Sequence, residues 1–178
     1  MDYNKDILPV KYLVFLDIDG VFTSARVQYA SANPRDLWNK FDPTAIEFMN
    51  KIHDRVDGVY FMLISTWKDH LITSDVMLEH WIISSFRNAG FRGEFNRPWK
   101  TNPDNHYERG KTRAHEIKDY LDGRQIKDYI IFDDTDYEFD RILGVRRHIK
   151  TDSENGLLMK HMKNAMSIIG TWDTRDGT

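Results

Sequence analysis

Asp17 and Asp19 stand one residue apart at the end of an apolar run, Leu13-Val14-Phe15-Leu16, and Gly20 follows them. In extended backbone alternate side chains point the same way, so both carboxylates can enter one pocket. Gly20 then lets the chain turn sharply. Two like charges so close repel unless a cation or a shared proton intervenes. The pattern therefore suits either a metal ion or a nucleophile beside an acid/base group. A plain strand running into an Asp-rich turn would give the same string without chemistry, and the rest of the chain decides between the two.

Two further apolar runs end in polar residues. Val59 to Ile64 leads into Ser65-Thr66-Trp67-Lys68, and Tyr129 to Phe132 leads into Asp133-Asp134-Thr135-Asp136. Adjacent carboxylates capping a buried strand are costly without a cation, which favours Asp133 and Asp134 as metal ligands, with Asp136 as a competitor. Between these runs Lys111 lies at an expected helix start, where backbone N–H groups and the helix dipole already favour an anion. The seven histidines are scattered and carry no metal-ligand spacing.

The elements that must position these groups follow from periodicity. Short continuous apolar runs read as strands buried on both faces. Asp42-Pro43 is a helix start, with Ile46, Phe48, Met49 and Ile52 as its apolar face to His53. A helix over 76–88 places Leu78, Trp81, Ile82, Ser85 and Phe86 on one side. Another, opened by Gly110 to Arg113, turns Ala114, Ile117, Tyr120 and Leu121 to the core. The segment 91–105 reads as a short strand and a long loop, 146–150 as a last strand and 156–169 as a last helix. Strands and helices thus alternate, which predicts an α/β fold with a mostly parallel sheet covered on both faces. Residues 22–41 have no clean period and read as an irregular flap.

With 178 residues, 40% hydrophobic and 30% charged, the chain is expected to fold as a single domain spanning 1–178. There is no cysteine, which excludes disulfides, thiolate zinc sites and cysteine nucleophiles. The net charge of -3 provides no global positive field for extended duplex DNA. The N-terminal residues lack the basic and apolar blocks of a signal peptide, and no apolar segment approaches membrane-spanning length, so a soluble, cytoplasmic protein is expected.

Taken together, Asp17-Ile18-Asp19-Gly20-Val21, Ser65, Lys111 and Asp133-Asp134 resemble, in order, the four motifs of the haloacid-dehalogenase-like (HAD) superfamily of phosphohydrolases. The strings Ile64-Ser65-Thr66-Trp67-Lys68, Arg113-Ala114-His115-Glu116-Ile117 and Ile131-Phe132-Asp133-Asp134 are similar to its small, nearly capless branch associated with RNA-repair and polynucleotide-end phosphatases. The resemblance implies a Rossmann-like three-layer sandwich with minimal or no cap.

It also implies roles. Asp17 would attack phosphorus, and Asp19 would protonate the leaving oxygen. Ser65 and Lys111 would hold the phosphoryl group, with Lys100 and Arg113 as rivals of Lys111. Magnesium would sit between Asp17, the Asp19 carbonyl and the Asp133-Asp134 pair. Gly20, Thr66, Lys68 and Arg113 would contact substrate. Without a large cap the site is expected to be open to a phosphorylated nucleotide or nucleic-acid end, a 3′-phosphate being favoured. Arg26, Arg35 and Lys40 would then be available to phosphate, and Tyr29, Trp38, Trp99 and Tyr107 to a base. Three alternatives stay open at this point: a phosphatase for another small phosphate ester, a phosphotransferase that passes the aspartyl-phosphate to a second substrate, and a catalytically silent phosphate-binding or partner-docking module.

Overall fold

The strands expected from apolar runs form one parallel sheet. The computed structural model describes residues 10–30, 41–69, 74–101 and 111–175. Its elements run β1 (Tyr12–Leu16), α1 (Ala25–Tyr29), α2 (Pro43–Arg55), β2 (Val59–Leu63), α3 (Asp75–Asn88), β3 (Phe95–Lys100), α4 (Arg113–Leu121), β4 (Asp128–Asp133), α5 (Phe139–Leu143), β5 (His148–Lys150) and α6 (Met159–Ile169). The strand order is β3-β2-β1-β4-β5, and all four pairings are parallel.

Alternate residues of β1 feed two cores. Tyr12, Val14 and Leu16 pack with Ile46 and Met49 of α2, Leu78 and Ile82 of α3, and Ala165 and Ile169 of α6. Leu13 and Phe15 pack on the other side with Ala114 and Ile117 of α4 and Phe139 of α5. The result is a three-layer α/β sandwich of the Rossmann type, with β1 at its centre. A strand buried on both faces needs apolar residues at every position, which explains why these strands read as unbroken apolar runs.

Local chemistry sets several boundaries. Asp42 caps α2, its carboxylate accepting from the Thr44 N–H at 2.8 Å, and Pro43 takes the first helical position. Within the segment read as an irregular flap, Ser24 caps a short helix, α1; its hydroxyl accepts from the Val27 N–H. Residues 31–40, including Arg35, Trp38 and Lys40, lie outside the described residues, as does Tyr107. Trp81 departs from expectation: Leu78, Ile82 and Phe86 are buried, but Trp81 is 40% exposed. No helix among the described residues is long and apolar enough to cross a membrane.

Candidate active site

Chain order and strand order diverge at β1. The path from β1 through β2 to β3 runs to one side, and β4 and β5 lie on the other. Such a switch point opens a crevice at the carboxyl ends of the strands, between β1 and β4. The register pairs Leu16 with both Leu63 and Phe132, so the residues that follow, Asp17 and Asp133, emerge side by side. The Asp17 N–H donates to the Phe132 carbonyl at 2.9 Å, extending the ladder to the rim of the crevice.

Both carboxylates are buried, at 3% exposure for Asp17 and 0% for Asp133. Arg113, the first residue of α4, bridges them: its Nη1 donates to Asp17 Oδ2 at 2.8 Å and to Asp133 Oδ2 at 2.7 Å. Tyr137 lies beneath the guanidinium, its ring centroid 5.0 Å from Cζ. Burial pushes the Asp17 carboxyl above its ordinary range, while Arg113, the Ser65 hydroxyl and the Ile18 N–H oppose that shift. Burial, and then the charge of Asp17, push Asp133 up to about 7 against the pull of Arg113 and the Thr135 N–H. Burial alone would lower the Arg113 guanidinium, but the two carboxylates outweigh it and hold it raised.

Asp134 completes an acidic cluster. Ligand oxygens of Asp17, Asp133 and Asp134 all lie within 4.8 Å of one another. An all-oxygen donor set of this kind suits a hard divalent cation. Gly20 makes room for it. Its φ is +70°, and a Cβ there would fall 2.4 Å from Asp134 Oδ2, so both the backbone conformation and the close approach require glycine.

Asp19 has a different setting. It is exposed, and both of its oxygens are held by neutral donors: Thr23 Oγ1 to Oδ1 at 2.8 Å and Trp67 Nε1 to Oδ2 at 2.9 Å. Its side chain therefore stands apart from the acidic cluster of Asp17, Asp133 and Asp134, where solvent can reach it.

The model of the HAD domain in Swiss Army Knife RNA repair proteins matches residues 13–162. The chain belongs to this family. Searches of curated proteins and of solved structures gave no match. Membership in the HAD family implies phosphohydrolase chemistry in general, and the carboxylate cluster at the switch point is a group that could hold a metal ion.

Other residues singled out in the sequence fall at varying distances from the crevice. Ser65 follows β2 and is fully buried; its hydroxyl accepts from the Trp67 N–H at 3.4 Å and is among the groups that pull the Asp17 carboxyl down. Thr66 is exposed at the start of the 3-10 turn Thr66–Asp69. The Gly20 N–H already donates to the Thr23 carbonyl at 2.6 Å.

The basic residues are sorted by the fold. Lys111 precedes α4 and pairs with Asp119 at 3.8 Å, whereas Arg113 reaches Asp17 and Asp133 directly. Lys68 points into the interior and donates to Glu116 Oε2 at 2.7 Å, with no exposed side-chain surface on either partner. Thr101 Oγ1 donates to the same oxygen at 2.6 Å. Lys100 contacts the Lys68 carbonyl and Asp75. Arg26 pairs with Asp42.

The sequence reading did not single out Thr23 and Trp67, the partners of Asp19, or Tyr137 against Arg113. Thr23 lies four residues beyond Asp19 and could have been found as the residue on which a tight turn closes. Nothing local announces Trp67, which lies 48 residues away in sequence.

Proposed function

We propose that this HAD domain is a magnesium-dependent phosphatase that removes a phosphomonoester from a polynucleotide end, a 3′-phosphate being the favoured substrate. The observation that carries the reading is the Arg113 bridge: one buried guanidinium holds Asp17 beside Asp133 at the mouth of the crevice. Asp17 Oδ attacks phosphorus, the new O–P bond forming as the ester P–O bond breaks, and an aspartyl-phosphate results. Asp19 gives its proton to the leaving alkoxide. It then takes one from the water that attacks the aspartyl-phosphate, releasing phosphate and restoring Asp17.

Arg113, rather than Lys111, offsets charge on the nucleophile and on the transferring group, because only Arg113 touches Asp17. Ser65 orients Asp17. A bound magnesium ion, held by Asp17, Asp133 and Asp134, would shield the attacking carboxylate from the anionic phosphate. The polynucleotide end is supported by the family's association with RNA repair. It is supported also by the modest elements described between β1 and β2, the short helix α1 and the core helix α2.

The test is phosphate release from 3′- and 5′-phosphorylated oligonucleotides, mononucleotides and sugar phosphates, with magnesium and with chelator. Release confined to the 3′-phosphorylated end and abolished by chelator is expected. Preference for a sugar phosphate would overturn the substrate assignment, and turnover by Asp17→Asn would overturn the nucleophile. Asp19→Asn is expected to slow turnover by about a hundredfold or more.

A further inference from the structure

Trp81 is a large aromatic side chain left 40% exposed on α3, on the helix whose Leu78, Ile82 and Phe86 fill the core. It is not isolated. Its ring lies parallel to that of Trp67, with centroids 5.7 Å apart and planes within 13°. Trp67 is itself buried and donates its indole N–H to Asp19 at 2.9 Å. An unbroken series of contacts thus runs from the proton-carrying carboxylate, through a buried indole, to an indole open to water. Met77, one helical turn before Trp81, is also exposed, and one turn after it Ser85 donates its hydroxyl to the Trp81 carbonyl at 2.9 Å.

We propose that Trp81 is a stacking platform for a nucleobase of the substrate, placed by Trp67 at a fixed offset from Asp19. The proposal rests on the polynucleotide-end reading given above. A stacked, backed indole has little rotamer freedom left to lose, so a base can add to the stack at small entropic cost. The ring also accepts any base, since every base offers a π-face, which suits an enzyme acting on ends of differing sequence.

The other aromatics considered for this role fit it less well. Trp99 is buried. Tyr29, although exposed, has no ring partner among the described residues and no described contact that ties it to Asp17 or Asp19.

The test compares two 3′-phosphorylated oligoribonucleotides, one intact and one lacking the bases of its last two nucleotides. With the parent protein, KM for the abasic end is expected to be about tenfold higher, within the range for stacking one base on an aromatic ring. Trp81→Ala is expected to collapse that ratio toward one by raising KM for the intact end, and Trp81→Phe to keep most of it. Equal KM for the two ends in the parent protein, or an undiminished ratio in Trp81→Ala, would overturn the platform while leaving the phosphatase reading in place.

A second readout does not need turnover. Titration with unphosphorylated oligoribonucleotide is expected to quench tryptophan fluorescence in the parent, with most of the quenching lost in Trp81→Phe. Such quenching without phosphate release from any end would overturn the phosphatase and keep the platform. Quenching unchanged in Trp81→Phe would overturn the platform.

Discussion

Glu116→Leu is expected to be among the most damaging single substitutions away from the acidic cluster. Lys68 and Glu116 meet at 2.7 Å with no side-chain surface exposed on either. At an effective dielectric of ~20, two unit charges at 2.7 Å attract by about 6 kcal/mol. Desolvating each ion costs several kcal/mol, so the pair as a whole adds little net stability. Removing Glu116 alone keeps the cost of burying Lys68 and discards the attraction, with an expected loss of about 3–5 kcal/mol. For a chain of this size that corresponds to a fall in Tm of about 10 °C.

The assay is thermal and urea unfolding of Glu116→Leu, Lys68→Met and the double variant. The double variant, with two apolar side chains in place of the pair, is expected to recover most of the loss. A single variant within about 1 kcal/mol of the parent would refute the argument, since surface-like ion pairs are worth no more than that. The pair also ties α4, which begins with Arg113, to the turn that follows Ser65. Glu116 lies one helical turn after Arg113, and Lys68 lies three residues after Ser65. If it fixes these two groups relative to Asp17, the double variant regains stability but not turnover.

Gly20→Ala is expected to cost about 1–3 kcal/mol through its left-handed backbone. It should also weaken magnesium binding by displacing Asp134, checked by unfolding and by calorimetric titration; an unchanged Tm and affinity would count against both roles. The pH dependence has a defined sign. A carboxyl whose value is raised by folding favours the folded state when protonated, so the metal-free protein should lose stability as pH rises from near 4 through the Asp133 value of about 7. Magnesium requires the ionised carboxylates, so it should raise Tm more at pH 8 than at pH 5. A metal-free Tm that climbs from pH 5 to pH 8 would contradict the assignment.

The strands and their polar ends were legible in the sequence because a doubly buried strand must be apolar throughout, and the first polar residue then marks the rim of the sheet. Asp17, Ser65, Asp133 and Asp134 are the residues that this rule picks out at the strand ends. The choice among cations was harder, because it depends on the rotational phase of α4. Arg113, Glu116 and Ile117 share one helical stripe, and Ile117 fixes that stripe against the sheet. Lys111 precedes the helix and is not part of the stripe. Lys68 was read as a substrate contact because its buried partner lies 48 residues away. Trp81 was read as core because periodicity marks a face and not its edge. The helix α5, at five residues, is too short for periodicity to reveal.

The distribution of charge divides the labour between the two carboxylates at the end of β1. Asp17, Asp133 and Asp134 bring three negative charges together when ionised, and Arg113 supplies one positive charge through contacts to Asp17 and Asp133. The deficit of two is what a divalent cation cancels, so the cluster suits a hard divalent cation by charge as well as by donor type. Asp19 lies outside this balance, bound by a hydroxyl and an indole N–H and open to solvent. In the proposed mechanism the carboxylate locked beside a guanidinium is the one that attacks, and the one held by neutral donors at the surface serves the leaving group. Two residues apart at the end of β1, Asp17 and Asp19 are given different sets of neighbours by the fold: Arg113 for the first, Thr23 and Trp67 for the second.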